Sequence, residues 1–158
     1  MKRVDCYGDD RILQGCFHCG GRPDTDDHSP PKVLLDKPYP AEMITVPSCY
    51  ECNNSASLDE AYLACVIECT VTGSVSAEGV SRTAIQKMLA HSPALASQMN
   101  GIRVMTEDGP IFHPDLDRVR RVIVKIARAH AASDEQRISD YVRHARWLGL
   151  AISVLVIP

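Results

Sequence analysis

The sequence predicts an α+β fold in two unequal parts, a small core of loops and short strands over residues 1–73 and a mostly helical extension over residues 74–158. Three observations carry this. Six of the ten prolines fall in the first 58 residues, where helical periodicity is scarce, so that segment must be pinned by something other than a hydrophobic core. Two Cys-x-x-Cys pairs, Cys16 with Cys19 and Cys49 with Cys52, stand in the same stretch. From Leu58 onward apolar residues recur at spacings of three and four, the period of an amphipathic helix.

The elements follow in chain order. Leu58, Tyr62, Cys65, Val66 and Cys69 predict a helix ending near Gly73, with Asp59 and Glu60 in its first turn, where the dipole favours acids. A second helix is expected over residues 81–90. A short third one has Ser92 as N-cap, Pro93 at its first position and Gly101 beyond its end. Residues 102–113 read as a hairpin with Asp108-Gly109 at the turn. Val119, Val122, Ile123, Ile126, Ala127 and His130 then share one face of the clearest helix, which Asp115 can cap. A last helix from residue 133 to about 148 and a terminal strand over residues 150–157 complete the expectation.

Composition narrows the function classes. Aromatic residues make up 5% of the 158 and the formal net charge is -3, which argues against a stacking platform for single strands and against a globally basic nucleic-acid binder. The charge is uneven, however: residues 118–146 hold eight of the 17 Lys and Arg against three acids, so a polyanion would be met locally. The amino terminus is followed by Gly and Asp rather than an apolar run, and no stretch approaches the roughly 20 apolar residues that span a bilayer. A cytoplasmic protein without membrane contact is expected. In that compartment seven cysteines point to metal rather than disulfides.

Each Cys-x-x-Cys pair can offer two thiolates from a tight turn. Together Cys16, Cys19, Cys49 and Cys52 complete a tetrahedral Zn2+ site with no open position, which makes it structural. Gly20-Gly21 gives the first turn its conformational freedom. Buried or redox thiols are the alternative, and Cys65 with Cys69 reads as two small core residues. His18, inside the first turn, reads as exposed or phosphate-facing. The 29 residues between Cys19 and Cys49 contain Asp26-Asp27-His28-Ser29-Pro30-Pro31. On an extended segment Asp27 and His28 point to opposite sides, so one can hold a hard cation while the other faces a water or a phosphate.

The strings Cys16-Phe17-His18-Cys19-Gly20, Asp27-His28-Ser29-Pro30-Pro31 and Cys49-Tyr50-Glu51-Cys52-Asn53-Asn54, followed by an amphipathic helix, resemble the HNH endonuclease family with its ββα-metal fold. The resemblance covers about residues 13–70. It implies DNA cleavage to 5'-phosphate and 3'-hydroxyl ends, with His28 as general base and with Asp27 and Asn53 as ligands of a catalytic Mg2+ or Mn2+. Glu60 is a further candidate ligand, because seven residues from Asn53 returns it to the same face if the helix begins early. The family's middle Asn has no counterpart in residues 41–46, where Glu42 is a candidate brace. Small proteins resembling this one often serve in bacterial restriction or anti-phage systems, where a partner protein supplies target recognition.

Two further readings stand beside this one. Arg118, Arg121, Lys125 and Arg128 line the polar side of the clearest helix and could track DNA phosphates, or could simply be a solvated face. The whole chain could equally be a non-catalytic zinc-binding module that recognises nucleic acid or a partner protein. Thiol redox chemistry at Cys16 and Cys19 lacks the βαβ setting that such a motif needs.

Overall fold

The computed structural model describes residues 15–41 and 43–133. The expected last helix, the terminal strand, Cys6 and Glu42 lie outside the described residues. Within them the architecture is α+β: four helices and two small antiparallel sheets. Strand β1 (Thr25–Ser29) pairs antiparallel with β2 (Ile44–Ser48), Asp27 opposite Val46 and His28 opposite Thr45. Period-two alternation turns Asp27, Ser29, Val46 and Ser48 inward, whereas Asp26 is exposed and His28 half-buried.

Helix α1 (Tyr50–Thr72) follows β2 directly and starts two turns earlier than apolar periodicity suggests. The reason is local. Cys49 is its N-cap, and the Cys49 sulfur accepts a hydrogen bond from the Cys52 N–H at 3.4 Å. The first two turns, polar and largely exposed, are therefore held by a cap rather than by burial. Asp59 and Glu60 consequently lie in mid-helix instead of in the first turn. Gly73 ends α1 with φ of 69°, a left-handed position where a side chain would be strained and its Cβ would stand 3.2 Å from Pro110.

Helices α2 (Thr83–His91) and α3 (Pro93–Gly101) meet at Ser92, whose hydroxyl accepts from the Leu95 N–H at 3.4 Å. The buried Glu68 carboxylate accepts from the N–H groups of Ser81 at 2.6 Å and Arg82 at 2.9 Å, supplying the cap that α2 lacks in its own sequence. Arg82 in turn donates to Asp36 and to the carbonyls of Val33 and Leu35, tying the loop after β1 to the helices. Strands β3 (Arg103–Thr106) and β4 (Gly109–Phe112) form the expected hairpin, with Glu107-Asp108 at the turn and Gly109 as the first paired residue. Helix α4 (Leu116–Ser133) begins at Asp115, whose carboxylate accepts from the N–H groups of Asp117 and Arg118.

One hydrophobic cluster joins these helices. Tyr62, Leu63, Cys65, Val66 and Cys69 of α1 pack with Val80, Ile85, Leu89, Met99, Val119 and Val122. It spans residue 73, the expected boundary between the two parts. Cys65 and Cys69 are fully buried free thiols, pushed up to about 12 and about 11 mainly by burial. Tyr50, at the start of α1, is exposed. Among the described residues, no helix is long and apolar enough to cross a membrane.

Candidate metal centre and acid–base site

The first Cys-x-x-Cys turn closes on itself, the Gly20 N–H donating to the Cys16 carbonyl at 2.7 Å. Gly20 makes this possible with φ of 78°, and Gly15 lies so close that a Cβ there would meet the Gly20 oxygen at 2.8 Å. The turn docks on β2 through the Phe17 N–H and the Pro47 carbonyl at 2.8 Å. From the other side the Tyr50 N–H donates to Asp24 at 2.6 Å, fixing the second cysteine pair against the start of β1.

These contacts bring Cys16, Cys19, Cys49 and Cys52 together, with all four sulfurs within 4.8 Å of one another. A tetrahedron with metal–sulfur bonds of about 2.3 Å has edges of about 3.8 Å. Cys19 and Cys49 are separated by 3.8 Å. The quartet could therefore bind a metal ion such as zinc, as its spacing in the sequence predicts. Its electrostatics differ from one thiol to the next. Burial opposes ionisation of Cys16, but backbone N–H groups of Cys49, Cys19 and His18 outweigh it and hold the thiol down at about 5. Burial and the neighbouring thiols push Cys52 well up, because four thiolates this close need a cation among them.

The oxygen donors are arranged differently. Asp27 is buried, and both its carboxylate oxygens are engaged: Oδ2 with His18 Nε2 at 2.9 Å, Oδ1 with the Lys125 ammonium at 2.8 Å. Burial alone would raise the Asp27 carboxyl, but these two partners hold it below the usual carboxylate range. Lys125 also donates to Glu60, which α1 turns inward on the same face as Asn53 because the helix does begin early. Asn53 bridges α1 to β1, its amide N–H donating to Thr25 Oγ1 at 3.3 Å and to the Asp26 carbonyl at 3.4 Å. Its amide oxygen accepts no side-chain hydrogen bond among the described residues.

His28 stands on the opposite face of β1 from Asp27, with no side-chain hydrogen bond among the described residues. Burial, then the charge of Lys32, lowers it from the ordinary histidine value, which favours the uncharged ring. Structure and sequence reading agree that Asp27 and His28 point to opposite sides of the strand. They differ on His18, whose side chain is only 15% exposed and clasps Asp27 instead of facing solvent. Neither His18 nor Lys125 was legible as a partner of Asp27, since no motif links residues 9 and 98 positions away.

The cationic stripe of α4 is drawn onto the acids of α1. Arg118 and Arg121 each donate to Asp59 at 2.6 Å, and Arg118 stacks 4.0 Å from the centre of the Tyr62 ring. Hydrogen bonds from Arg121 chiefly, and from Arg118 against the cost of burial, keep the Asp59 carboxyl below its ordinary value. Arg128 has no acid partner among the described residues. Between α1 and α4 an open cleft of about 560 Å3 is lined by His18, Ser55, Asp59, Arg121, Lys125 and Arg128.

The hairpin β1–β2 and the start of α1 thus meet at four thiols, beside a cleft lined by Arg121, Lys125 and Arg128. No family model matches the chain, and neither a curated protein nor a solved structure matches it significantly.

Proposed function

We propose that the chain is a metal-dependent endonuclease of HNH type that hydrolyses DNA phosphodiester bonds, with a structural zinc on Cys16, Cys19, Cys49 and Cys52. The observation that carries this reading is His28: an imidazole whose burial favours the uncharged form, with no side-chain hydrogen bond among the described residues, next in sequence to a buried aspartate, on a hairpin to which the first turn of a helix is bridged by Asn53. A base of this kind takes the proton of an attacking water near neutral pH. Asp27 and Asn53, with Glu60 on the same side of α1 as Asn53, are hard oxygen donors of the sort Mg2+ or Mn2+ prefers. Bound there, the ion would supply positive charge to the phosphate and to the leaving oxygen. Zinc would keep β1, β2 and the start of α1 in fixed relation, so that His28 is positioned without a large apolar core beneath it. Arg121 and Arg128 at the cleft would hold backbone phosphates. By the same resemblance, the proposal extends to a role in a bacterial anti-phage or restriction system, with a partner protein choosing the target.

One observation favours a second reading, a zinc-binding module that recognises nucleic acid or protein without cutting: both Asp27 oxygens are already engaged. Nicking of supercoiled plasmid decides. With Mg2+ or Mn2+ the purified protein is expected to nick, and His28→Ala to lose at least about a hundredfold in rate, with zinc content and DNA affinity unchanged. Wild-type nicking by His28→Ala would remove the base from His28, and no nicking by the wild type would favour the binding module.

A further inference from the structure

The Lys125 ammonium sits between Asp27 and Glu60, the two carboxylates that the endonuclease reading assigns to a divalent cation. His18 holds the other oxygen of Asp27, so in the free protein the pair is met by an ammonium and an imidazole, where the reading would put a divalent ion. Lys125 has a second environment within reach. Lys125 also lines the cleft that Arg121 and Arg128 make basic, and Arg128 has no acid partner among the described residues. A phosphate drawn into that cleft would offer the ammonium, on its flexible stem, an alternative anion.

We infer that Lys125 is a substrate-operated latch: in the free protein it occupies the cation site at Asp27 and Glu60, and a backbone phosphate in the α1–α4 cleft draws it away, so that DNA and divalent metal bind cooperatively. This rests on the endonuclease reading of Asp27. Linkage makes the coupling reciprocal, with a usual size of about 5- to 150-fold in affinity. Lys125 is then a positioning residue, and its effect is read in metal affinity rather than in turnover alone.

The test is Mn2+ binding to the zinc-loaded protein, followed by electron paramagnetic resonance with and without a short DNA duplex, in a His28→Ala background that prevents cleavage. DNA is expected to tighten Mn2+ binding at least about fivefold in that background. With Lys125→Met added, Mn2+ should bind as tightly without DNA as with it. Because Lys125→Met leaves two carboxylates facing each other, the pair Lys125→Met with Glu60→Gln repeats the comparison at the original net charge: its Mn2+ affinity is lower for want of a ligand, but should again be the same with and without DNA. Zinc content and the circular dichroism spectrum report folding of each variant. Equal Mn2+ affinity with and without DNA when Lys125 is present overturns the latch and leaves the endonuclease reading standing. Absence of Mn2+ binding in every form overturns both.

Discussion

The hairpin with its cysteine quartet and the helical cluster are stabilised by different physics. Around β1, β2 and the first turns of α1 the buried apolar residues are few, Cys16, Met43 and Val46 among them, and order comes from sulfur, turns and a sulfur cap. From Tyr62 to Val122 the chain is held by a continuous apolar cluster in which Ile85, Met99 and Val122 are almost wholly buried. His28 and Asn53, the residues on which the proposed reaction depends, are in the region fixed at a few points. A region fixed by packing has its side chains spent on packing, yet it projects Lys125 and the arginines of α4 back onto the hairpin.

The largest expected break comes from Cys49→Ser. Metal binding energy on the order of 10 kcal/mol is folding energy in a segment with so little core of its own. This variant should lose zinc and make residues 16–58 protease-sensitive. One zinc per chain and an unchanged melting curve would show that the quartet is not what holds this region.

Ile85→Ala should act on the other region alone. Deleting a fully buried isoleucine costs about 2 to 5 kcal/mol, which urea unfolding would register, while zinc content under native conditions stays at the wild-type level. Zinc loss on this substitution would mean that the two regions order as one unit and that the contrast between them is false.

The smallest effect tests the seam. A carboxyl whose folded value lies below its unfolded value adds stability above about pH 4 and loses it as pH falls through the folded value. Asp59 is such a group, between Arg121 and Arg118. Asp59→Asn should lower stability near neutrality and flatten its fall between about pH 4 and the folded value, measured by urea unfolding at several pH values. An unchanged slope would assign the acid sensitivity of the α1–α4 contact to other groups.

What could be read from the sequence was local. Cys-x-x-Cys spacing, Ser92-Pro93 at the start of α3, the Asp115 cap and the apolar face of α4 all depend on residues within a few positions of one another, and each element lies where those signals put it. The alternation of Asp27 and His28 across a strand was legible for the same reason. Two things were decided only in three dimensions. The early start of α1 needs Cys49 in place as a cap, which apolar periodicity does not register, and it turns Glu60 inward. The pairing of Lys125 with Asp27 and Glu60 joins residues 98 and 65 positions apart, because burying a carboxylate demands a partner and helix packing determines which cation arrives. A charge pattern on one helix states that cations are present; the charges they meet belong to whatever element packs against it.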